Sequence, residues 1–112
     1  MKRVEAIVRP ERMGAVKCAL EGIGYSGLMI TAVEGHGKQK GVEQTWRGEK
    51  YKVEFIPKTK IDLVVRDADV GKVVRAVTTS ARTGEVGDGK IFVSPVENAI
   101  RIRTGEEGEE AV

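Results

Sequence analysis

The sequence predicts a single α+β domain with its elements in the order β-α-β-β-α-β. Short runs alternate apolar and polar residues at period two, two apolar stripes recur at helical spacing, and 112 residues suit one core. Lys2 to Arg9 opens as a strand, with Val4, Ala6 and Val8 alternating with Arg3, Glu5 and Arg9; Ile7 places one apolar group on the polar side. Pro10 and Glu11 suit a helix's first turn, and Met13, Val16, Leu20 and Ile23 follow until Gly22 and Gly24 stop the run. Gly27 to Glu34 is extended, with Leu28, Ile30 and Ala32 on one face. Val53 and Phe55 suggest brief extended structure before Pro57. Ile61, Leu63 and Val65 then alternate with Lys60, Asp62 and Arg66. Asp67 or Asp69 caps a second helix lined by Val70, Val73, Val74 and Val77 and ending near Gly84. A turn rich in glycine (Gly84, Gly87, Gly89) leads to a strand from Lys90 to Val93, a break at Ser94-Pro95, and a short strand from Ala99 to Arg103.

That order is the split βαβ arrangement of ferredoxin-like domains, with both helices on one sheet face. The other face mixes Glu5, Lys60 and Asp62 with Ile7, Val64 and Ile102, and burial against further copies of the chain accounts for such a face best. Composition narrows the function. There are 19 basic and 17 acidic side chains, so the net charge is +2, which argues against a dedicated nucleic-acid binder. No apolar run is long enough to span a membrane, and MKRVEAIVRP has no secretion-signal block, so the cytoplasm is the default location. Cys18 and His36 alone make neither a disulfide nor a zinc cluster, and Cys18, off the Met13–Val16–Leu20 stripe, reads as a structural thiol. Near-neutrality hides a bias. Lys38, Lys40, Arg47, Lys50, Lys52, Lys58 and Lys60 face only Glu43, Glu49 and Glu54, whereas residues 105–112 carry four Glu and no base. A basic middle suits an anionic ligand or partner; a charged surface loop is the alternative.

Three features bear on chemistry. The polar stretch between Gly37 and Phe55 is far longer than the usual ~4–6 residue connection, and Trp46 near its tip needs either a partner or its own domain to bury it. In Thr83-Gly84-Glu85-Val86-Gly87-Asp88-Gly89-Lys90, glycines let backbone amides approach an anion and Lys90 adds a charge, although an ordinary helix-to-strand turn has the same look. Arg101 and Arg103, two apart on a strand, share a face and suit a phosphate, or pair with Glu5, Asp62 or the tail glutamates. Lys38, Lys90, Arg101 and Arg103 together match the charge of a nucleoside triphosphate, and Ile7 and Val64 can floor an adenine. No nucleophile sits with a recognisable base.

At Thr45-Trp46-Arg47-Gly48-Glu49-Lys50-Tyr51, Thr83 through Val93, and Arg101-Ile102-Arg103-Thr104-Gly105-Glu106, the chain resembles the PII nitrogen-regulatory signal-transduction family, end to end. The resemblance implies one domain over residues 1–112, assembled as a homotrimer with ATP or ADP between subunits. Its T-loop would be residues 37–55, its B-loop 82–90 and its C-terminal segment 99–112. By position, nucleotide contacts would be Ile7, Met29, Gly37, Lys38, Gln39, Lys40, Val64, Gly87, Asp88, Gly89, Lys90, Arg101 and Arg103. Gln39 would ligate Mg2+ on the phosphates, and 2-oxoglutarate would meet Gln39, Lys40, Gly41, Lys58 and Gly87. Lys38 stands where many members have Arg, Met29 replaces a usual Thr, and His36 and Trp46 occupy places where other aromatics are common. Trp46 and Arg47 would contact the partner, an ammonium channel of the Amt type, with glutamine synthetase or another nitrogen enzyme as the alternative. Tyr51 matches the residue uridylylated in some bacterial members.

The expected function is thus a non-catalytic nitrogen and energy sensor that meets a membrane only through a channel. A slow ATPase on the same fold is the second reading. A bare trimeric scaffold or an RNA-binding ferredoxin-like module is the third, the latter poor because only Phe55 and Phe92 offer strand aromatics.

Overall fold

A computed structural model describes residues 1–36, 43–46, 49–52 and 55–112, the strands at 43–46 and 49–52 by their backbone. The elements are β1 (Lys2–Val8), α1 (Met13–Gly22), β2 (Met29–Gly35), β3 (Glu43–Trp46), β4 (Glu49–Lys52), β5 (Ile56–Val65), α2 (Val70–Ala81) and β6 (Lys90–Pro95). The main sheet runs β2-β5-β1-β6 with antiparallel neighbours throughout, so each helix crosses over one intervening strand. This is the expected ferredoxin-like arrangement. Residues 43–46 and 49–52, read from the sequence only as part of a long polar stretch, contribute a separate two-stranded ribbon, β3–β4, in which Trp46 is opposite Glu49 and Tyr51 opposite Gln44.

Alternation puts Val4, Ala6 and Val8 of β1 and Ile61, Leu63 and Val65 of β5 on the helix-covered face, where Val16 and Leu20 of α1 and Val73, Val77 and Ala81 of α2 bury them. Met13, Ile23, Leu28 and Val70 pack around that core. Helix α1 ends in a Schellman motif: Tyr25 N donates to Leu20 O (2.9 Å) and Gly24 N to Glu21 O (3.0 Å), with Gly24 at φ +97°.

Several expectations need correction. Neither Asp67 nor Asp69 caps α2 through its side chain. Charged and phenolic partners take them instead: Asp67 Oδ1 lies 2.8 Å from the Met1 amine, and Asp69 accepts the Tyr25 hydroxyl while lying 3.4 Å from Lys72. Helix α2 stops at Ala81, because Arg82 is already extended. Strand β5 starts at Ile56 and runs through Pro57, which lies opposite Glu34 of β2, while β1 pairs only from Thr59 onward. Ser94-Pro95 does not break β6, since Pro95 sits on an edge strand at the last rung, opposite Lys2. Ala99 to Arg103 is not a strand. An isolated Ile100–Glu107 bridge closes a turn in which Gly105 adopts φ +75° and donates to Arg101 O (2.7 Å). Ile102 is consequently fully exposed rather than part of the sheet face. Cys18 is exposed on α1, off the buried Val16–Leu20 stripe.

Leu20 is fully buried between the helices and the sheet. Leu20→Ala should destabilise the fold by about 2–5 kcal/mol in urea unfolding, and Cys18→Ser, on the surface, by no more than about 0.5 kcal/mol.

Candidate functional site

Between α2 and β6 the chain must reverse, and a single carboxylate organises the reversal. Asp88 Oδ2 accepts the amides of Thr83 (2.9 Å) and Gly84 (2.8 Å), and its Oδ1 accepts the Thr83 hydroxyl. Thr83 Oγ1 in turn accepts the Glu85 amide at 3.1 Å. From the far end of β1, Arg9 Nε donates to Asp88 Oδ1 at 3.2 Å and Nη2 donates to Val86 O at 3.0 Å. Lys58 Nζ of β5 donates to Gly87 O. The Thr83 hydroxyl, with the two amides and Arg9, holds the Asp88 carboxyl well below the usual carboxylate range.

With its acid so occupied, the turn presents backbone. Gly87 and Gly89 adopt φ +104° and +102°, conformations that favour glycine. Gly89 also lies against β1 so closely that a Cβ there would stand 1.7 Å from Ile7 O. Among the described residues no acceptor is paired with the amides of Gly87 or Asp88, the arrangement an anion-binding nest requires.

A cavity of about 520 Å3 opens beside this turn, lined by Ile7, His36, Lys58, Gly87, Gly89 and Lys90 among others. Lys58 is buried; burial first, and then the Arg9 guanidinium, push its pKa down, while Glu11 and Asp88 act the other way. A buried ammonium beside a second cation gains from any anion that enters. Lys90 and Arg103 have no acidic partner among the described residues.

The remaining candidates lie elsewhere. Met29 and Val64 line a second cavity of about 520 Å3 with Tyr25, Ala99 and the C-terminal Val112. Arg101 of the adjoining C-terminal turn donates to Glu106 Oε1 and to Glu110 O, both at 3.1 Å, so the tail glutamates are its partners here. Ile7 pairs with Lys60 and Val64 with Arg3, a separation of four residues along β5, or roughly 13 Å. One chain therefore splits the nucleotide candidates into two groups: Ile7, Gly87, Asp88, Gly89 and Lys90 with Lys58, and Met29 and Val64 with the segment that carries Arg101 and Arg103. Between them runs a helix-free face on which Lys60 pairs with Glu5 (3.4 Å) and Arg3 approaches Asp62 (3.7 Å), while Met29 and Phe92 are more than half exposed.

Gly37, Lys38, Gln39, Lys40, Gly41 and Arg47 lie outside the described residues; Trp46 closes β3 and Tyr51 lies on β4. The sequence reading missed Arg9 and Thr83 as organisers of the turn. A contact between residues 79 apart leaves no local pattern, although a basic residue at the end of a strand was visible.

Comparison with known proteins agrees with this architecture. The family model for Nitrogen regulatory protein P-II matches residues 1–106. The chain is 50% identical to Nitrogen regulatory protein P-II 2 of Methanothermobacter thermautotrophicus over all of its own length and 97% of the relative's. It is 52% identical to Nitrogen regulatory protein P-II of Cereibacter sphaeroides and 50% identical to that of Synechocystis sp., with both chains covered completely in each case.

Two outcomes follow from the turn. Gly89→Ala should disrupt the β1–β6 junction more than Gly84→Ala, which faces open space and incurs only the roughly 1–2 kcal/mol of left-handed backbone; urea unfolding compares them. The folded-state pKa of Asp88 lies below the 3.8 of a free aspartate, so its stabilisation is complete above that pH and is lost as pH falls further. Amide resonances of Thr83 and Gly84 should move only on such acidification.

Proposed function

The chain belongs to the Nitrogen regulatory protein P-II family, and from that premise we propose that it is a non-catalytic sensor of nitrogen and energy status. In this reading it takes ATP or ADP and, with MgATP, 2-oxoglutarate, and it acts through residues 37–55 on an ammonium channel of the Amt type or on a nitrogen-assimilation enzyme such as glutamine synthetase. It works in the cytoplasm as a homotrimer, reaching the membrane only through its partner. The relatives are named as regulatory proteins, not enzymes.

The observation that carries the reading is the split of the candidate residues. A polyphosphate suits the Gly87–Gly89 amides with Lys90 and Lys58, and an apolar ring suits Met29 and Val64. In one chain these groups line two separate cavities, about 13 Å apart along β5. Two chains that brought their helix-free faces edge to edge would complete the site, and would also cover Met29 and Phe92. The 2-oxoglutarate candidates Lys58 and Gly87 are joined by a hydrogen bond, so a dicarboxylate arriving there would compete for Lys58. Gln39 is proposed as the magnesium ligand on sequence grounds alone. A coupling of about 1–3 kcal/mol between ligand and partner sites suffices for regulation.

Calorimetry with ATP, ADP and ATP plus 2-oxoglutarate, paired with sedimentation of the free protein, tests the reading. Nucleotide binding by a trimer is expected; a monomer indifferent to nucleotides contradicts it. Turnover of ATP well above background, abolished by Lys90→Ala, would favour the slow ATPase instead. Arg47→Glu should abolish channel binding and leave nucleotide affinity unchanged.

A further inference from the structure

Among the cations expected to meet phosphate, Arg101 already carries acceptors on both terminal nitrogens. Nη1 donates to Glu106 Oε1 and Nη2 to Glu110 O, each at 3.1 Å. The chain bends back to make these contacts. Arg101 N donates to Glu106 O (2.8 Å) and Gly105 N to Arg101 O (2.7 Å), with Gly105 and Gly108 at φ +75° and +74°. Asn98 secures the returning stretch: its Nδ2 donates to Glu107 Oε1 at 3.1 Å, and its Oδ1 accepts the Gly108 amide at 3.2 Å. The same stretch then brings Ala111 and Val112 to the cavity lined by Met29 and Val64.

Closing the turn does not require the Glu106 carboxylate. Backbone bonds and Asn98 already close it, and an ion pair whose side chains are each 39% exposed adds little to stability. The carboxylate matters more to a ligand. Guanidinium grips phosphate best with two parallel N–H groups, and here a phosphate arriving at the end of the fork meets an acid on a pair of zero net charge. Resting on the reading of this chain as a nucleotide sensor, we propose that Glu106 is the internal counter-ion of the phosphate site. It holds Arg101 until a nucleoside di- or triphosphate replaces it, and so lowers the affinity of the site. The exchange leaves the arginine paired throughout and returns to water a carboxylate that is already partly exposed. A glutamate that merely aimed Arg101 at the ligand would have the opposite sign: its loss would weaken binding.

The test is ADP binding by calorimetry to the intact protein, for wild type, Glu106→Gln and Glu109→Gln. Glutamine keeps the length and an acceptor oxygen while removing the charge, and Glu109 loses the same charge from an exposed position on the same segment. Glu106→Gln should bind ADP about twofold to fivefold more tightly than wild type, the range that a partly exposed ion pair sets. Glu109→Gln should bind as wild type does. Unchanged or weaker binding by Glu106→Gln overturns the proposal and leaves the nucleotide site standing. An equal gain in Glu109→Gln also overturns it, because the effect would then belong to the charge of the tail and not to the hold on Arg101. Absence of ADP binding to all three proteins overturns the site itself, and the proposal with it.

Discussion

A buried or semi-enclosed carboxylate that captures backbone amides is a strong local constraint, and in this protein Asp88 is that constraint. It draws in Thr83 and Gly84 at the end of α2 and ties them, through Arg9, to the end of β1. Without the pairing, a stretch holding Gly84, Gly87 and Gly89 would have many conformations to lose. With it, fewer remain, and Gly87, Gly89 and Lys90 line the same cavity as Lys58. The acid in this glycine turn is thus explained by its place inside the loop, where its charge is matched by four donors.

The same logic of matched and unmatched groups runs across the helix-free face. Glu5 with Lys60 and Arg3 with Asp62 neutralise its charges, while Met29 and Phe92 stay open to solvent. Among the described residues Asp62 Oδ1 is buried without a hydrogen-bond partner, Arg3 standing 3.7 Å away, which is costly unless another surface supplies one. A face with paired charges, bare apolar groups and an unmet acceptor has the properties of a surface that closes against copies of itself. Its two ends carry the two halves of the proposed nucleotide site, so assembly and ligand binding become one physical problem.

Much of the fold was legible in the residues. Period-two runs at Val4–Val8 and Ile61–Val65 and the stripes at Val16–Leu20 and Val73–Val77 marked both the elements and the core. Errors fell where local chemistry competes with tertiary partners. Asp67 and Asp69 have the right type for helix caps, yet the chain's own amine and Tyr25 claim them. Arg101-Ile102-Arg103 reads as a strand until Gly105 reverses the chain and Glu106 recovers Arg101. For the site, the glycine turn was visible as a spacing. The role of Asp88 was not: a carboxylate looks alike in a sequence whether it faces a ligand or its own backbone. Likewise, His36 registered only as an unusual aromatic, because its neighbours Lys58 and Lys90 are brought to it by the sheet.

The Asp88-held turn is proposed to receive an anion on its backbone. Hydrogen exchange at individual amides, with and without saturating ADP, addresses it most directly. Slower exchange at Gly87, Asp88 and Gly89, with Thr83 and Gly84 already protected in the free protein, is the predicted result. Unchanged exchange at Gly87 to Gly89 under conditions where ADP is demonstrably bound would contradict it.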